Sequence, residues 1–154
     1  MLSLALTLLQ LIKVMAITKY VLPVVVGAMS GMILITLGEM WIETIYPLRA
    51  GTDKYDVDSL AKGLKDMPDK AFVLLLVNYI VCSFLAGLIA TLVANRTMLR
   101  PAIVVGIVLT LAGLYNVIYL PHPLWFSFAN LLVYLPFAYL GYLIVRKKEL
   151  NVTN

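Results

Sequence analysis

The constraint that dominates this sequence is the absence of charge from four long stretches. Residues 23–46, 71–95, 101–120 and 124–145 contain no Lys, Arg or Asp, and their only acidic residues are two glutamates in the first stretch. Each stretch has at least 20 residues. That is enough for a helix to cross the hydrocarbon core of a bilayer, which is about 30 Å thick. The sequence therefore predicts an all-α integral membrane protein, a bundle of four transmembrane helices.

Composition supports this class and excludes others. The 154 residues are 62% hydrophobic with a mean hydropathy of +0.97, whereas soluble domains are about 45–50% apolar. The net charge of +4 does not indicate a nucleic-acid partner, because the basic residues lie at the ends of the stretches, where membrane topology places them. One His and one Cys cannot form a metal cluster or an intrachain disulfide. Cys82 is therefore interpreted as a small packing residue, and no metal is expected.

The distribution of basic residues predicts how the chain is threaded. The segments before the first stretch, between the second and third, and after the fourth hold one acid, Glu149, and seven basic residues: Lys13, Lys19, Arg96, Arg100, Arg146, Lys147 and Lys148. The loop 47–70 holds five basic and five acidic residues, and the turn 121–123 has no formal charge. Because cytoplasmic loops carry the excess of Lys and Arg, both termini are predicted to be cytoplasmic and the loop 47–70 to lie outside.

Residues 1–18 form a separate N-terminal segment. Apolar side chains dominate it, and Ser3, Thr7 and Gln10 make a narrow polar stripe at helical spacing. We interpret the segment as an amphipathic interfacial helix on the cytoplasmic surface, with Pro23 marking the break before the first span. Three alternatives stay open: an extension of the first span, a signal peptide, and a start-site artefact in a chain that begins at Met15.

The rest of the chain divides into the four-helix bundle, 19–148, and a cytoplasmic tail, 149–154. In the outer loop, Asp58 and Ser59 are suited to cap a short helix that runs through Lys65.

Small residues recur at helical spacing within the stretches. Gly27 and Gly31 form a G-x-x-x-G pair, Ala86 and Ala90 are four apart in the second stretch, and Gly106 lies in the third. In lipid, helices associate mainly through close packing and interhelical hydrogen bonds, so small residues favour helix contacts. We interpret all five as packing residues within the bundle, with a homodimer face as the alternative for the glycine pair.

Polar residues inside the stretches gather toward the outer side. At 1.5 Å per residue, Glu43 lies about one turn in from the outer end of the first span and Glu39 about two. The same half of the membrane holds Asn78, Asn116, Asn130, His122 and Tyr134. Intramembrane acids usually face the bundle interior or a water-filled cavity. The pattern predicts an outward-opening polar pocket in which Glu39 points inward and hydrogen-bonds at least one of the three asparagines, directly or through water.

Less specific interpretations of these residues remain. Asparagines in membrane helices often serve as interhelical hydrogen-bond donors, and a glutamate one turn from the surface, such as Glu43, can extend its carboxylate to the headgroups. His122, between two prolines, is typical of a turn residue. The sequence also lacks H-E-x-x-H, G-x-S-x-G, a P-loop and paired intramembrane aspartates. We therefore expect no enzymatic activity and no cofactor.

Short turn motifs indicate a resemblance to a family. They are Pro47-x-x-x-Gly51-x-Asp53, Ser59-Leu60, Pro121-x-Pro123-Leu124-Trp125-Phe126, Tyr134-Leu135-Pro136 and Leu140-Gly141. On these motifs the chain, over roughly 19–145, resembles an uncharacterised family of small four-span bacterial inner-membrane proteins. The resemblance implies a four-helix membrane fold and a bacterial inner (plasma) membrane. It implies no activity, because the family has none assigned.

Three functions can be weighed from the sequence. The favoured one is a non-catalytic membrane protein that acts by association, as an accessory subunit or scaffold in the lipid bilayer, in a homo-oligomer or a larger membrane complex. The alternative is binding or transport of a small molecule or ion through the polar pocket, which requires an open cavity that reaches Glu39. The third, a membrane enzyme, has no candidate catalytic residues.

The threading can be tested with single cysteines at Lys54 and Lys148 in a Cys82→Ser background. A membrane-impermeant maleimide added to intact cells is expected to label the cysteine at 54 and not the one at 148, until the membrane is permeabilised. Labelling of position 148 alone in intact cells would show that the threading is inverted.

Overall fold

The computed structural model describes residues 17–53, 55–95 and 98–152, and this part of the chain is helical without strands. A short π-helical turn, Ile17–Val21, leads into five α-helices. They are α1 (Leu22–Ile45), α2 (Val57–Lys65), α3 (Asp69–Val93), α4 (Leu99–Tyr119) and α5 (Leu124–Val152). All but α2 are long and apolar enough to cross a membrane, which confirms the predicted set of four long helices.

The ends of the chain differ in part from the sequence expectation. The proposed interfacial helix over 1–18 lies outside the described residues except for its last two, which belong to the π-helical turn. Winding changes from π to α at Leu22, beside Pro23, so the described chain stays helical through the expected break. At the other end α5 continues to Val152, and most of the expected tail is helical, because Lys147, Lys148 and Glu149 are good helix formers.

The loop between α1 and α3 contains the short helix α2, and its cap differs from the predicted one. Asp56 has the extended backbone of an N-cap residue, and its Oδ2 accepts a hydrogen bond from the Ser59 amide at 2.9 Å. Asp58 and Ser59 lie within the first turn and do not precede it. Leu64, buried on the inner face of α2, packs this helix over the mouth of the bundle.

Helix α3 is the centre of the bundle. It contacts the three other long helices, most extensively α5 and then α1, while α4 packs on α5 and, over a smaller contact, on α1. The order around the bundle is therefore α1, α3, α5, α4. We call the end that carries α2 and the 121–123 turn the loop end; the opposite end carries the start of α1, the end of α3, the start of α4 and the end of α5.

The small residues singled out in the sequence lie at these helix contacts. A Cβ atom added at Gly27 would meet Ala90, and one at Gly31 would meet Ala86, so the G-x-x-x-G face of α1 packs against α3 within the chain. A Cβ added at Gly106 would contact Leu135 on α5. These close contacts occupy the half of the bundle away from the loop end.

Larger side chains fill the loop end between α3 and α5. The rings of Phe72 and Phe126 are 5.2 Å apart, those of Tyr79 and Phe126 6.2 Å, and those of Tyr79 and Tyr134 5.8 Å, measured between centroids. All four side chains are buried. Tilted aromatic pairs at these separations add stabilisation beyond the area they bury, so this cluster fixes the orientation of both tyrosines.

The closest helix approach is between α3 and α5, and it depends on Gly87 and Gly141. A Cβ atom at Gly87 would overlap the backbone carbonyl of Ala138, and one at Gly141 would overlap the backbone of α3 at Phe84. Because neither neighbour is a side chain that can rotate away, any substitution must separate the helices.

We therefore expect Gly87→Ala and Gly141→Ala each to lower the free energy of unfolding by about 1–3 kcal/mol, the usual cost of overpacking. Reversible unfolding in mixed micelles, followed by tryptophan fluorescence, measures this difference. Val81→Ile adds a methylene on the same helix at a side chain that is 48% exposed, and it should change stability little. Equal stabilities for Gly87→Ala and Val81→Ile would contradict the packing described here.

Candidate functional site

Two cavities meet at the loop end of the bundle. The first, which we call the vestibule, has a volume of about 290 Å³ and lies beneath α2; its lining residues are Glu39, Ile42, Glu43, Leu48, Leu60, Leu64, Met67, Leu75, Tyr79, Asn116, Leu120 and His122. The second, which we call the crevice, has a volume of about 280 Å³ and lies between α1 and α4; it is lined by Met32, Ile35, Thr36, Glu39, Tyr79, Leu109, Ala112, Gly113, Asn116 and Tyr134. Glu39, Tyr79 and Asn116 belong to both.

Glu39 occupies the junction of the two cavities. It lies six residues before the end of α1, about 9 Å along the helix. Its side chain is half-buried, and the Tyr79 hydroxyl donates a hydrogen bond to its Oε1 at 2.7 Å. Its second oxygen, Oε2, accepts no hydrogen bond within 17–53, 55–95 and 98–152. The carboxylate is therefore anchored by one oxygen and presents the other to the cavities.

The side chain that hydrogen-bonds Glu39 directly is a tyrosine, whereas the sequence predicts a bond to an asparagine, directly or through water. Asn78 and Tyr79 are adjacent on α3, and neighbouring residues on an α-helix diverge by about 100°. Since Tyr79 faces the carboxylate, Asn78 faces α1 at another point, where its Nδ2 donates to the Ile35 carbonyl at 3.1 Å. Its Oδ1 accepts from the Cys82 thiol at 3.3 Å.

Asn130 likewise serves packing. It is buried on α5, and its Oδ1 accepts a hydrogen bond of 2.6 Å from the Tyr134 hydroxyl. This bond holds the Tyr134 ring against Tyr79, so Asn130 supports the site through the aromatic cluster. The structure thus brings together Glu39, Glu43, Asn116, His122 and Tyr134 as cavity residues. It places Asn78 in a hydrogen bond between α3 and α1 and Asn130 in a hydrogen bond within α5.

Asn116 is the second polar group that both cavities share. It is half-buried on α4, opposite Glu39, and its side chain makes no hydrogen bond within the described part of the chain. A carboxylate oxygen and an amide that face one space from two helices form a polar pair able to hold a ligand in a fixed orientation.

His122 forms part of the vestibule wall near the loop end. Its Nδ1–H donates to the Leu120 carbonyl at 2.9 Å, and its ring stacks on Phe126 at 5.2 Å between centroids. Burial lowers the pKa of its imidazole, and the hydrogen bond to Leu120 opposes this only in part. A depressed folded-state pKa means that the neutral ring stabilises the fold above the ordinary value of about 6.5 and that this contribution is lost as pH falls below it.

The charge of the cavities is therefore one-sided. Both acids of the first span line the vestibule, His122 is favoured in its neutral form, and none of the described lining residues is Lys or Arg. Arg49 lies outside both cavities and approaches Asp66, the residue that follows α2, at 3.6 Å. Among the described residues, the site therefore offers acidic and neutral polar groups to a ligand.

Among the described residues, the half of the bundle away from the loop end is closely packed and offers no polar route. Its hydroxyl groups bond to their own helices, since Ser83 donates to the Tyr79 carbonyl, Thr91 to Gly87 and Thr110 to Gly106. The glycine and alanine contacts of α1 with α3 fill the space between. Within the described residues, no group of three His, Cys, Asp or Glu side chains is arranged to hold a metal ion.

Comparison with known proteins adds no assignment: neither a protein-family model, nor a curated protein, nor a solved structure matches this chain at a significant level. The resemblance drawn from the turn motifs therefore stays a prediction.

The bond between Tyr79 and Glu39 can be tested through stability. Tyr79→Phe removes the donor, and we expect a loss of about 1–2 kcal/mol in the free energy of unfolding. Glu39→Gln keeps an acceptor oxygen and should cost less. Tyr115→Phe is the matched control, because that side chain is 63% exposed on the outside of α4. If Tyr79→Phe and Tyr115→Phe have the same free energy of unfolding, the hydrogen bond between Tyr79 and Glu39 does not stabilise the bundle.

Proposed function

We propose that this protein binds a small, positively charged molecule at Glu39 and performs no chemistry on it. The observation that carries the proposal is the open cavity that reaches the Glu39 carboxylate inside a membrane-spanning bundle. A purely structural acid would be enclosed by its partners, whereas Glu39 uses one oxygen for Tyr79 and leaves the other toward the cavity. Of the functions weighed from the sequence, binding is the one that needs such a cavity.

The chemistry of the walls supports a cationic ligand with apolar parts. Glu39 supplies a carboxylate and Asn116 an amide oxygen, and both are hydrogen-bond acceptors for an ammonium group. Leucine, isoleucine and methionine side chains make up most of the remaining wall, which suits a carbon skeleton. A few polar groups in a mostly apolar cavity is the usual composition of a small-molecule site.

Binding without passage across the membrane is favoured over transport by this chain alone. A permeating ion needs polar groups on both sides of its path, and the hydroxyls beyond Glu39 are bonded to their own backbone. Association with other membrane proteins, as a scaffold or accessory subunit, stays a prediction. A bundle that acted only in that way would not require the vestibule or the crevice.

We further propose that the chain lies in a bacterial plasma membrane with both termini cytoplasmic. The excess of basic residues in the segments at the chain ends and between α3 and α4 supports this orientation. With that threading the loop end faces outside, and the vestibule receives its ligand from the external medium or the outer leaflet.

Binding can be measured with dansylcadaverine, a fluorescent primary amine, and the protein in phosphatidylcholine nanodiscs. Dansyl emission rises when the probe leaves water, so titration gives an affinity. We expect Glu39→Gln to weaken binding at least tenfold, the effect of losing one charge-assisted hydrogen bond worth about 1.5–3 kcal/mol.

Asp69→Asn is the matched control for this experiment. It neutralises an exposed acid at the start of α3, outside both cavities. Its affinity for the probe should stay within twofold of wild type. The N-acetylated probe, which has no charge, should bind wild type and Glu39→Gln equally weakly. Equal affinity of dansylcadaverine for wild type and Glu39→Gln would refute the proposal.

A further inference from the structure

The crevice opens sideways, between two helices, and this opening bears on the class of ligand. The contact between α1 and α4 is the least extensive of those between adjacent long helices. On the α1 edge Met32 is 42% exposed and Thr36 is exposed, and on the α4 edge Ala112 is exposed. In a bundle surrounded by lipid, these edges border the acyl chains and not water.

The crevice is polar near the membrane surface and apolar toward the midplane, as a lipid molecule is from its headgroup to its acyl chains. Glu39 and Asn116 lie at its upper part, near the loop end, whereas Met32, Ile35 and Leu109 lie deeper. Met32 is 13 residues before the end of α1, so it lies about 20 Å from that end. Since the hydrocarbon core is about 30 Å thick, the crevice runs from the polar pair to near the midplane. A molecule with its polar group toward the surface and its chain toward the midplane matches this gradient.

The size of the crevice limits what such a molecule can be. Its volume is about 280 Å³. A water molecule takes up about 30 Å³ in the liquid, and a methylene group is of similar size. The crevice therefore has room for one alkyl chain of about nine carbons and not for a two-chain lipid.

We propose that the ligand is a single-chain cationic amphiphile, bound with its amine at Glu39 and Asn116 and its alkyl chain in the crevice. This rests on the proposed function and deepens it, because it assigns the two cavities different parts of one ligand. The cationic group follows from the Glu39 carboxylate and from the absence of Lys and Arg among the described residues that line the two cavities. The chain follows from the apolar, lipid-bordering walls below it.

The test uses displacement of dansylcadaverine by butylamine, hexylamine, octylamine and decylamine in nanodiscs, with each affinity referred to the free aqueous concentration. A chain held in an apolar environment gains about fourfold in affinity per methylene. We expect this increase in wild type. A chain that stays in water would give no increase, and that result would overturn the proposal.

Crevice and bulk lipid are distinguished by two neighbouring substitutions on α1. Thr36→Phe fills the crevice, whereas Leu37→Phe changes a side chain that is 56% exposed and lines neither cavity. We expect Thr36→Phe to weaken decylamine at least tenfold and butylamine less than twofold, with Leu37→Phe unchanged from wild type. Ala112→Leu narrows the crevice from α4 and should act as Thr36→Phe does, so the test does not depend on the folding of one variant.

The outcomes separate this inference from the function on which it rests. If the increase with chain length survives both Thr36→Phe and Ala112→Leu, the chain lies outside the crevice and the crevice assignment is wrong, while binding at Glu39 stands. If decanol displaces the probe as well as decylamine does, the site selects a chain and not an amine, which also overturns the inference. Failure of Glu39→Gln to weaken dansylcadaverine would remove the proposed function and this inference together.

Discussion

The structure depends on how the bundle accommodates a carboxylate within the membrane. An acid at the centre of a transmembrane helix costs about 2.5–3.5 kcal/mol on insertion scales, so it persists where a partner or a cavity reduces that cost. Here the Tyr79 hydroxyl bonds one oxygen of Glu39 at 2.7 Å. Tyr79 is in turn held between Phe126 and Tyr134, whose own hydroxyl is bonded to Asn130. The aromatic cluster between α3 and α5 thus serves to orient a single donor toward a single acid.

The two ends of the bundle are packed differently. Away from the loop end, glycine and alanine allow α1, α3 and α5 to approach closely, and the hydroxyl groups are bonded to their own helices. At the loop end, large rings occupy the α3–α5 contact, and the space between α1 and α4 stays open. The open end is also where the acids, the shared amide of Asn116 and the short helix α2 are found. Closed packing on one side and a cavity on the other suit a site that retains a ligand.

The sequence predicts some features of this arrangement and not others, because each feature depends on a different property of the chain. Length and hydropathy determine the four long helices, and counting along each helix places Glu39 and Asn116 in the same outer half of the membrane. The direction of a side chain around its helix needs the identity of the neighbouring helix. For that reason depth alone could not distinguish Asn78 from Tyr79, which differ by one residue and face different helices. The crevice could not be predicted from the sequence either, because it forms where α1 lies beside α4 with little contact. The Asp56 cap was missed since Asp58 and Ser59 offer the same side-chain chemistry two and three residues later.

The central claim is that Glu39 is the point at which a cation binds. Crystals soaked with 4-bromobenzylamine test it most directly, because anomalous scattering locates the bromine and the map places the amine. The account predicts a bromine peak in the vestibule or crevice, with the amine within hydrogen-bond distance of the Glu39 carboxylate, and no such peak in Glu39→Gln. A site elsewhere on the protein, or the same peak in the variant, would contradict it.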